Sequence, residues 1–222
     1  MLAGGQSLVP LLNFRLARPA HIVDINRVTG LDRIYDRDGG VAVQALARQA
    51  AVEDSDLVER VCPLLGAAVR LVAHRVIRNR GTVCGSLAHA DPASELPAVL
   101  LALGGHVVAR SNRGERVISA DALFHGVMET ALAPDELLVE AWFPAFSKPF
   151  AVIEESRRHG DFALAGVVRA ADRLALFGVA PTPVLADPRD PTRGLRPSGD
   201  LEASPEFRLH LVRVLTEKAF AA

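Results

Sequence analysis

Residues 3–19, Ala3-Gly4-Gly5-Gln6-Ser7 running directly into LVPLLNFRLARP, are the stretch on which the rest of the chain is organised. Two adjacent glycines let the backbone turn tightly and approach a ligand with no Cβ in the way, and Ser7 falls where a helix N-cap would stand. Amides pointing outward from such a turn make a site for a phosphate or pyrophosphate. Taken alone, the turn is equally well a structural connection, so its meaning depends on what answers it elsewhere.

With 222 residues, half of them apolar and 23% charged, the chain is long enough to bury roughly 70% of its unfolded surface, as one large domain or two small ones. A net charge of −1 creates no field that would recruit nucleic acid or an anionic membrane. Cys62 and Cys84 show no spacing that suggests a bridge, which fits a reducing compartment, and two thiolates are too few for a cysteine-ligated iron–sulfur cluster. No basic region and apolar run of a signal peptide opens the sequence, and no window reaches about 18 uninterrupted apolar residues. The expectation is a cytoplasmic protein without a transmembrane segment.

Outward from the glycine turn, Leu8 to Leu16 predicts a short helix broken near Pro10, and His21 to Ile25 a strand. Asp36-Arg37-Asp38-Gly39-Gly40 punctuates a hairpin within Leu31–Leu46. Leu57, Val61, Leu64, Leu65, Ala68, Leu71 and Val72 fall at helical spacing, predicting one amphipathic helix from Asp56 to His74 with Pro63 inside it. A polar loop from Ile77 to Ser86 follows, then an apolar helix from Ala93 to Leu103 that Asp91 is placed to cap. Strand-like runs at 106–110 and 116–119 flank another hairpin turn, and Leu137–Phe143 is one more strand. Residues 144–149 look like a linker into a smaller region with strands at 150–155, 164–168 and 174–179. A proline-rich extended segment leads to a last helix from Pro205 to Phe220 with Ser204 as its cap.

A second small, hydroxyl-bearing loop, Thr82-Val83-Cys84-Gly85-Ser86, matches the character of the first. Two such turns could hold one pyrophosphate from opposite sides, several amide donors and hydroxyls being needed because a single helix terminus supplies only about 0.3 to 2 kcal/mol. From spacing alone, two unrelated turns explain them equally well. Neither fits GxGxxG or GxxxxGK[ST], and Ser7 misses the GxSxG elbow, so Rossmann, P-loop and serine-hydrolase readings lack a motif. His89, Asp91 and Glu95 offer a metal or acid–base reading without a second ligand cluster. The basic run Arg70, His74, Arg75, Arg78 and Arg80 reads as a solvated helix end.

Together these segments resemble the FAD-binding (medium) subunit of the molybdenum hydroxylases, the carbon monoxide dehydrogenase and xanthine dehydrogenase group. LAGGQSLVPLLNFRLARPAHIVDINRV (2–28) is similar to its first flavin-binding segment and IRNRGTVCGSLAHADPASELPAVLLALG (77–104) to its second. RRHGDFALAGV (157–167), followed by FGVAPTPV (177–184), is similar to its smaller C-terminal domain. The resemblance implies an α+β fold: a FAD-binding domain over 1–145, of PCMH type with two α/β subdomains, then a small C-terminal α/β domain over 150–222 ending in a helix.

It further implies that Ala3, Gly4, Gly5, Gln6 and Ser7, with Thr82, Val83, Cys84, Gly85 and Ser86, cradle the FAD pyrophosphate. Asp91 would lie near the ribityl or isoalloxazine portion, and Asp161 and Phe162 would approach the flavin ring from the second domain. The implied partners are a molybdopterin-binding large subunit, a 2Fe–2S small subunit and an external electron acceptor, the flavin being the electron exit. No catalytic residue and no metal ligand is assigned to this chain. The alternative is a truncated or degenerate relative, an interaction module without FAD.

Three departures from the family pattern stand out. The family's chain begins upstream of the glycine turn with a strand and helix, so an N-terminally truncated domain with an unpaired sheet edge is expected. Cys84 stands where the family has glycine; a positive φ there would make its Cβ costly, and Cys84→Gly would then raise FAD affinity, whereas without a positive φ the thiol is tolerated beside the cofactor. The segment between Val168 and Leu174 is short compared with the family's usual hairpin.

Overall fold

The computed structural model describes residues 1–221. Along the chain run α1 (Leu8–Asn13), β1 (Ile34–Arg37), β2 (Gly40–Gln44), α2 (Gln49–Glu53), α3 (Asp56–Val61), α4 (Pro63–Leu71), α5 (Arg75–Arg78), α6 (Val83–His89) and α7 (Glu95–Leu103). Then come β3 (His106–Ser111), β4 (Gly114–Ser119), α8 (Ala120–Leu123), β5 (Phe124–Gly126), β6 (Glu129–Thr130) and β7 (Leu137–Pro144). The C-terminal part holds β8 (Phe150–Glu155), β9 (Ala165–Ala170), β10 (Arg173–Phe177), β11 (Val184–Ala186) and α9 (Pro205–Ala221).

Two antiparallel sheets carry the architecture, one ordered β1-β2-β7-β3-β4 and the other β11-β10-β9-β8. Period-two alternation gives the first sheet an inner face of Val41, Val43, Ala141, Phe143, Val107 and Ala109, all buried. Helices α4, α6 and α7 fill the space against it. All nine residues of α7 are buried, because that helix lies between the two sheets, packing on α4 and β7 as well as on β9 and β10. On the far side of the second sheet, Leu211, Val212, Leu215 and Ala219 of α9 close a second core. This is the mixed α and β arrangement, with a terminal helix, that the sequence implies.

Local departures from the sequence reading have physical causes. Pro63 splits the expected 56–74 helix: lacking an N–H and clashing with the preceding turn, it cannot continue α3, so it becomes the first residue of α4 with Cys62 (φ −146°) as the joint. Pro10 does not break α1, since it sits in the first turn where its missing amide needs no partner. The 21–25 run makes no ladder; Leu2 pairs with Asp24 in one parallel bridge, through Leu2 N–H to Val23 O and Ile25 N–H to Leu2 O. β11 escaped the proline-rich reading because its three residues lie at a sheet edge, where neighbouring prolines are tolerated. Between β9 and β10 the short hairpin closes with Ala171 in the left-handed region, and the ladder pairs Ala170 with Arg173. Among the described residues no helix is long and apolar enough to cross a membrane.

Candidate functional site

The two small-residue segments meet backbone to backbone. A Cβ on Gly4 would collide with the Arg80 carbonyl oxygen and come within 2.9 Å of the Gly81 Cα. Gly81 in turn lies against the buried side chain of Gln49, which leaves no room for a Cβ there either. Two polar side chains fix the contact. Asn26 donates to the Ala3 carbonyl at 2.8 Å, and Arg48 donates to both Asn26 Oδ1 and the Arg80 carbonyl at 2.7 Å. Gly81 and this staple went unnoticed in the sequence, because Asn26 and Arg48 are joined to the turns only by folding.

What the sequence suggests as a loop over 77–86 is helical at both ends, in α5 and α6. Thr82 is the N-cap of α6, its hydroxyl accepting from Gly85 N–H at 3.0 Å. Ser7 precedes α1 but makes no side-chain capping bond, and its backbone is already helical, so it does not cap as the sequence suggests. Among the described residues, the amides of Gly4, Gly5, Gln6 and Ser7 donate to no protein acceptor. Gly5 holds the turn open with φ +77°.

These groups face a cleft of about 1090 Å³, slightly above the roughly 300–1000 Å³ usual for small-molecule sites. Ala3, Gly4, Gly5, Gln6, Ser7, Thr82, Cys84, Gly85, Ser86, Asp91, Asp161 and Phe162 all line it. Val83 does not: it points into the core and is wholly buried. Asp161 and Phe162 reach the rim on the loop after β8, and the Phe162 ring is 74% exposed. That loop is seated on the other wall of the cleft, where Gly160 (φ +89°) packs on the His74 imidazole so closely that a Cβ would lie 2.6 Å from Cε1.

Asp91 does not cap α7 as expected. Its carboxylate accepts from Ala93 N–H at 2.9 Å in a local turn, and α7 starts only at Glu95 after Ser94. The Ser94 hydroxyl instead bonds that of Ser86 at 2.9 Å. Glu95, also lining the cleft, is 9% exposed, and its burial pushes the carboxyl pKa up to about 8. Among the described residues, no group of three His, Cys, Asp or Glu side chains is arranged to hold a metal, so His89, Asp91 and Glu95 form no ligand set.

At Cys84 the structure takes the second of the two alternatives, a tolerated thiol. The residue lies in the first turn of α6, outside the left-handed region, with its thiol directed to the Val43 carbonyl at 3.3 Å and burial pushing the thiol pKa up. A Cβ costs nothing in that conformation. Cys84→Gly is therefore expected to lower stability by about 1–3 kcal/mol, from helix propensity and a small cavity, and to bring no gain in FAD affinity. Thermal unfolding and a flavin titration of the variant check both parts.

Four of the five residues of the basic run, Arg70, His74, Arg75 and Arg80, are exposed as the sequence suggests, and Arg78 is the exception. Arg78 is 7% exposed and forks onto Glu53, while Arg75 bonds Glu53 and Asp54, tying α5 to α2 beneath the second turn.

A family model described as the FAD binding domain in molybdopterin dehydrogenase matches residues 1–146. The chain is 37% identical over 252 aligned residues to the 6-hydroxypseudooxynicotine dehydrogenase complex subunit alpha of Paenarthrobacter nicotinovorans, covering 100% of this chain and 85% of that one. It is 40% identical to the caffeine dehydrogenase subunit beta of Pseudomonas sp. (strain CBB1), over 97% of this chain and 77% of the relative. Its fold matches a chain of the carbon monoxide dehydrogenase from Hydrogenophaga pseudoflava with a TM-score of 0.93 and 31% identity, covering 100% of this chain and 88% of that one.

Proposed function

Since the chain belongs to the family of FAD-binding domains of molybdopterin dehydrogenases, we propose that its cleft holds the dinucleotide between the two glycine turns and the loop after β8. FAD is the cofactor of this family, and the chain is an oxidoreductase subunit of the medium, FAD-binding kind. The observation that carries the placement is the direct contact of Gly4 with Arg80 and Gly81, which sets four unpaired amides of the first turn beside the hydroxyl-bearing second segment.

The residues present suit that cofactor. The amides of Gly4, Gly5, Gln6 and Ser7, with the Ser7, Thr82 and Ser86 hydroxyls, would take the pyrophosphate oxygens, where charge-assisted hydrogen bonds are the strong ones. Cys84 and Gly85 complete that wall through their backbone, and Val83 acts only by anchoring it to the core. Asp91 would stand near the ribityl chain, and Asp161 and Phe162 would meet the isoalloxazine ring, Phe162 covering one face. Bound FAD supplies the redox chemistry; the chain binds it, orients it and limits the access of water to it.

In a complex, this subunit would sit at the electron exit, beside a molybdopterin-binding large subunit and a 2Fe–2S small subunit, and face an external acceptor. Two of its relatives are themselves named as subunits. Both cysteines are free and buried, in keeping with a reducing cytoplasm.

Purified chain titrated with FAD should quench the flavin's fluorescence and retain one flavin per chain through gel filtration. A chain folded by circular dichroism that leaves saturating FAD free would overturn the placement. Phe162→Ala should weaken binding about fivefold to tenfold, with less quenching and unchanged folding, because the ring's contribution is an aromatic contact of about 1 kcal/mol.

A further inference from the structure

The loop after β8 hangs from the second sheet, but its tip rests on the opposite wall of the cleft. At its base Arg157 Nε pairs with Glu202 at 2.9 Å, and Leu164 N–H donates to the Glu155 carbonyl at 2.7 Å. The turn closes on the Arg158 carbonyl, which accepts from Asp161 N–H and from the Ser156 hydroxyl, both at 3.0 Å. Among the described residues, no hydrogen bond joins residues 159–162 to the opposite wall.

Packing on one side chain supplies that link. The imidazole of His74, in the turn between α4 and α5, lies so close to Gly160 that a Cβ there would come within 2.6 Å of Cε1 and 2.7 Å of Nε2. Only a glycine suits the position, since its φ is +89° as well. The His159 ring meets the same imidazole edge to face, with centroids 5.6 Å apart and planes at 60°. The seat itself is fixed. The His74 carbonyl accepts from Ile77 N–H at 2.8 Å and Arg78 N–H at 3.1 Å, and the Arg78 guanidinium donates to the Val72 and Ala73 carbonyls just before it.

We infer that His74 is a positioning residue for the flavin: its imidazole seats Gly160 and His159 and thereby fixes where Phe162 meets the isoalloxazine ring. The inference rests on the placement of FAD in this cleft. With its ring 74% exposed, Phe162 is not held by its own neighbours, so its position is inherited from the backbone of the residues before it. Contacts of this kind are short-ranged, and a displacement of about 1 Å forfeits about half of the dispersion attraction. A loop tip released from His74 would therefore keep its hydrogen bonds and lose its hold on the cofactor.

The test is a double-mutant cycle on the FAD affinity of the full chain, read by flavin fluorescence, with thermal unfolding as the folding control. His74→Ala should weaken binding about fivefold and reduce the quenching, a loss no larger than that of the Phe162 ring itself. In a Phe162→Ala background the same change should cost less than about twofold, because the group it positions is gone. Gly160→Ala, which pushes the tip off its seat, should act at least as strongly as His74→Ala. A second arm needs no cofactor: trypsin should cut the folded chain after Arg157 or Arg158 about fivefold faster in His74→Ala than in the wild type, the site being read by mass spectrometry. A merely structural His74 would lower affinity equally in both backgrounds. Such additivity, or equal cutting rates, overturns the inference and leaves the cleft assignment standing. A folded wild type that binds no FAD overturns the placement and, with it, the role of His74 toward the flavin.

Discussion

Gly4→Val should remove measurable FAD retention, weakening binding by roughly a hundredfold or more, about 3 kcal/mol at least. The atoms a Cβ would meet are the Arg80 carbonyl oxygen and the Gly81 Cα. Both are backbone, and Arg48 holds that carbonyl from its other side, so neither can swing away. The first turn must therefore lift off the second, carrying its unpaired amides away from the Thr82 and Ser86 hydroxyls. Most of the buried core lies elsewhere, around α4, α6 and α7, so the far-ultraviolet circular dichroism should stay close to that of the wild type. Gly39→Ala is the control. Its φ is +70° with no heavy atom near a Cβ, so it should cost about 1 kcal/mol of stability and leave FAD affinity unchanged. A valine variant that binds FAD like the wild type would rule out the two-turn cradle.

The largest loss of stability is expected from Arg78→Ala. Its guanidinium donates to Glu53 through Nε at 2.9 Å and Nη2 at 3.1 Å, and through Nη1 to the Val72 and Ala73 carbonyls. Removing it strands two carbonyls and leaves the Glu53 carboxylate to Arg75 alone, for which about 3 kcal/mol is expected. For a chain of this size that lowers Tm by about 10 °C. Arg78→Lys should recover only part of this, since a single ammonium cannot reproduce the fork. The pair also sets a pH dependence. Arg78 first, then Arg75, holds the Glu53 carboxyl below its ordinary value. The group therefore stabilises the fold above its unfolded pKa of about 4.5, and that contribution is lost as pH falls through the lowered folded value. The Tm difference between wild type and Arg78→Ala should thus shrink in acid. An alanine variant melting within about 2 °C of the wild type at pH 7 would contradict this account.

The sheet-forming hairpins were legible because their signal is local: Asp38-Gly39 and Arg113-Gly114 each sit between runs of strand-forming residues, and both hairpins fold there. The apolar run of α7 was legible for the same reason, and Ser204-Pro205 marked the last helix correctly, with the Ser204 hydroxyl accepting from Phe207 N–H at 3.2 Å. Asp91 was recognised as a polar group near a helix start, whereas Thr82 was read as part of a loop and not as the cap of α6. That Asp91 would close its own turn instead was not legible, since a carboxylate a few residues before a helix can accept from a nearer amide.

By itself the sequence determined the two hairpins of the first sheet, the apolar run of α7 and the last helix, the two glycine segments with their hydroxyls, and a resemblance specific enough to name the family and its cofactor, all being properties of residues adjacent in the chain. The tertiary structure alone decided that Gly4 would rest on Arg80 and Gly81, and that Asn26 and Arg48 would staple the turns. It also decided that Cys84 would lie in a helix against the Val43 carbonyl and that Arg78 would be buried on Glu53. Each of these depends on groups tens of residues apart meeting at hydrogen-bond or van der Waals distance, and no local propensity encodes such a meeting.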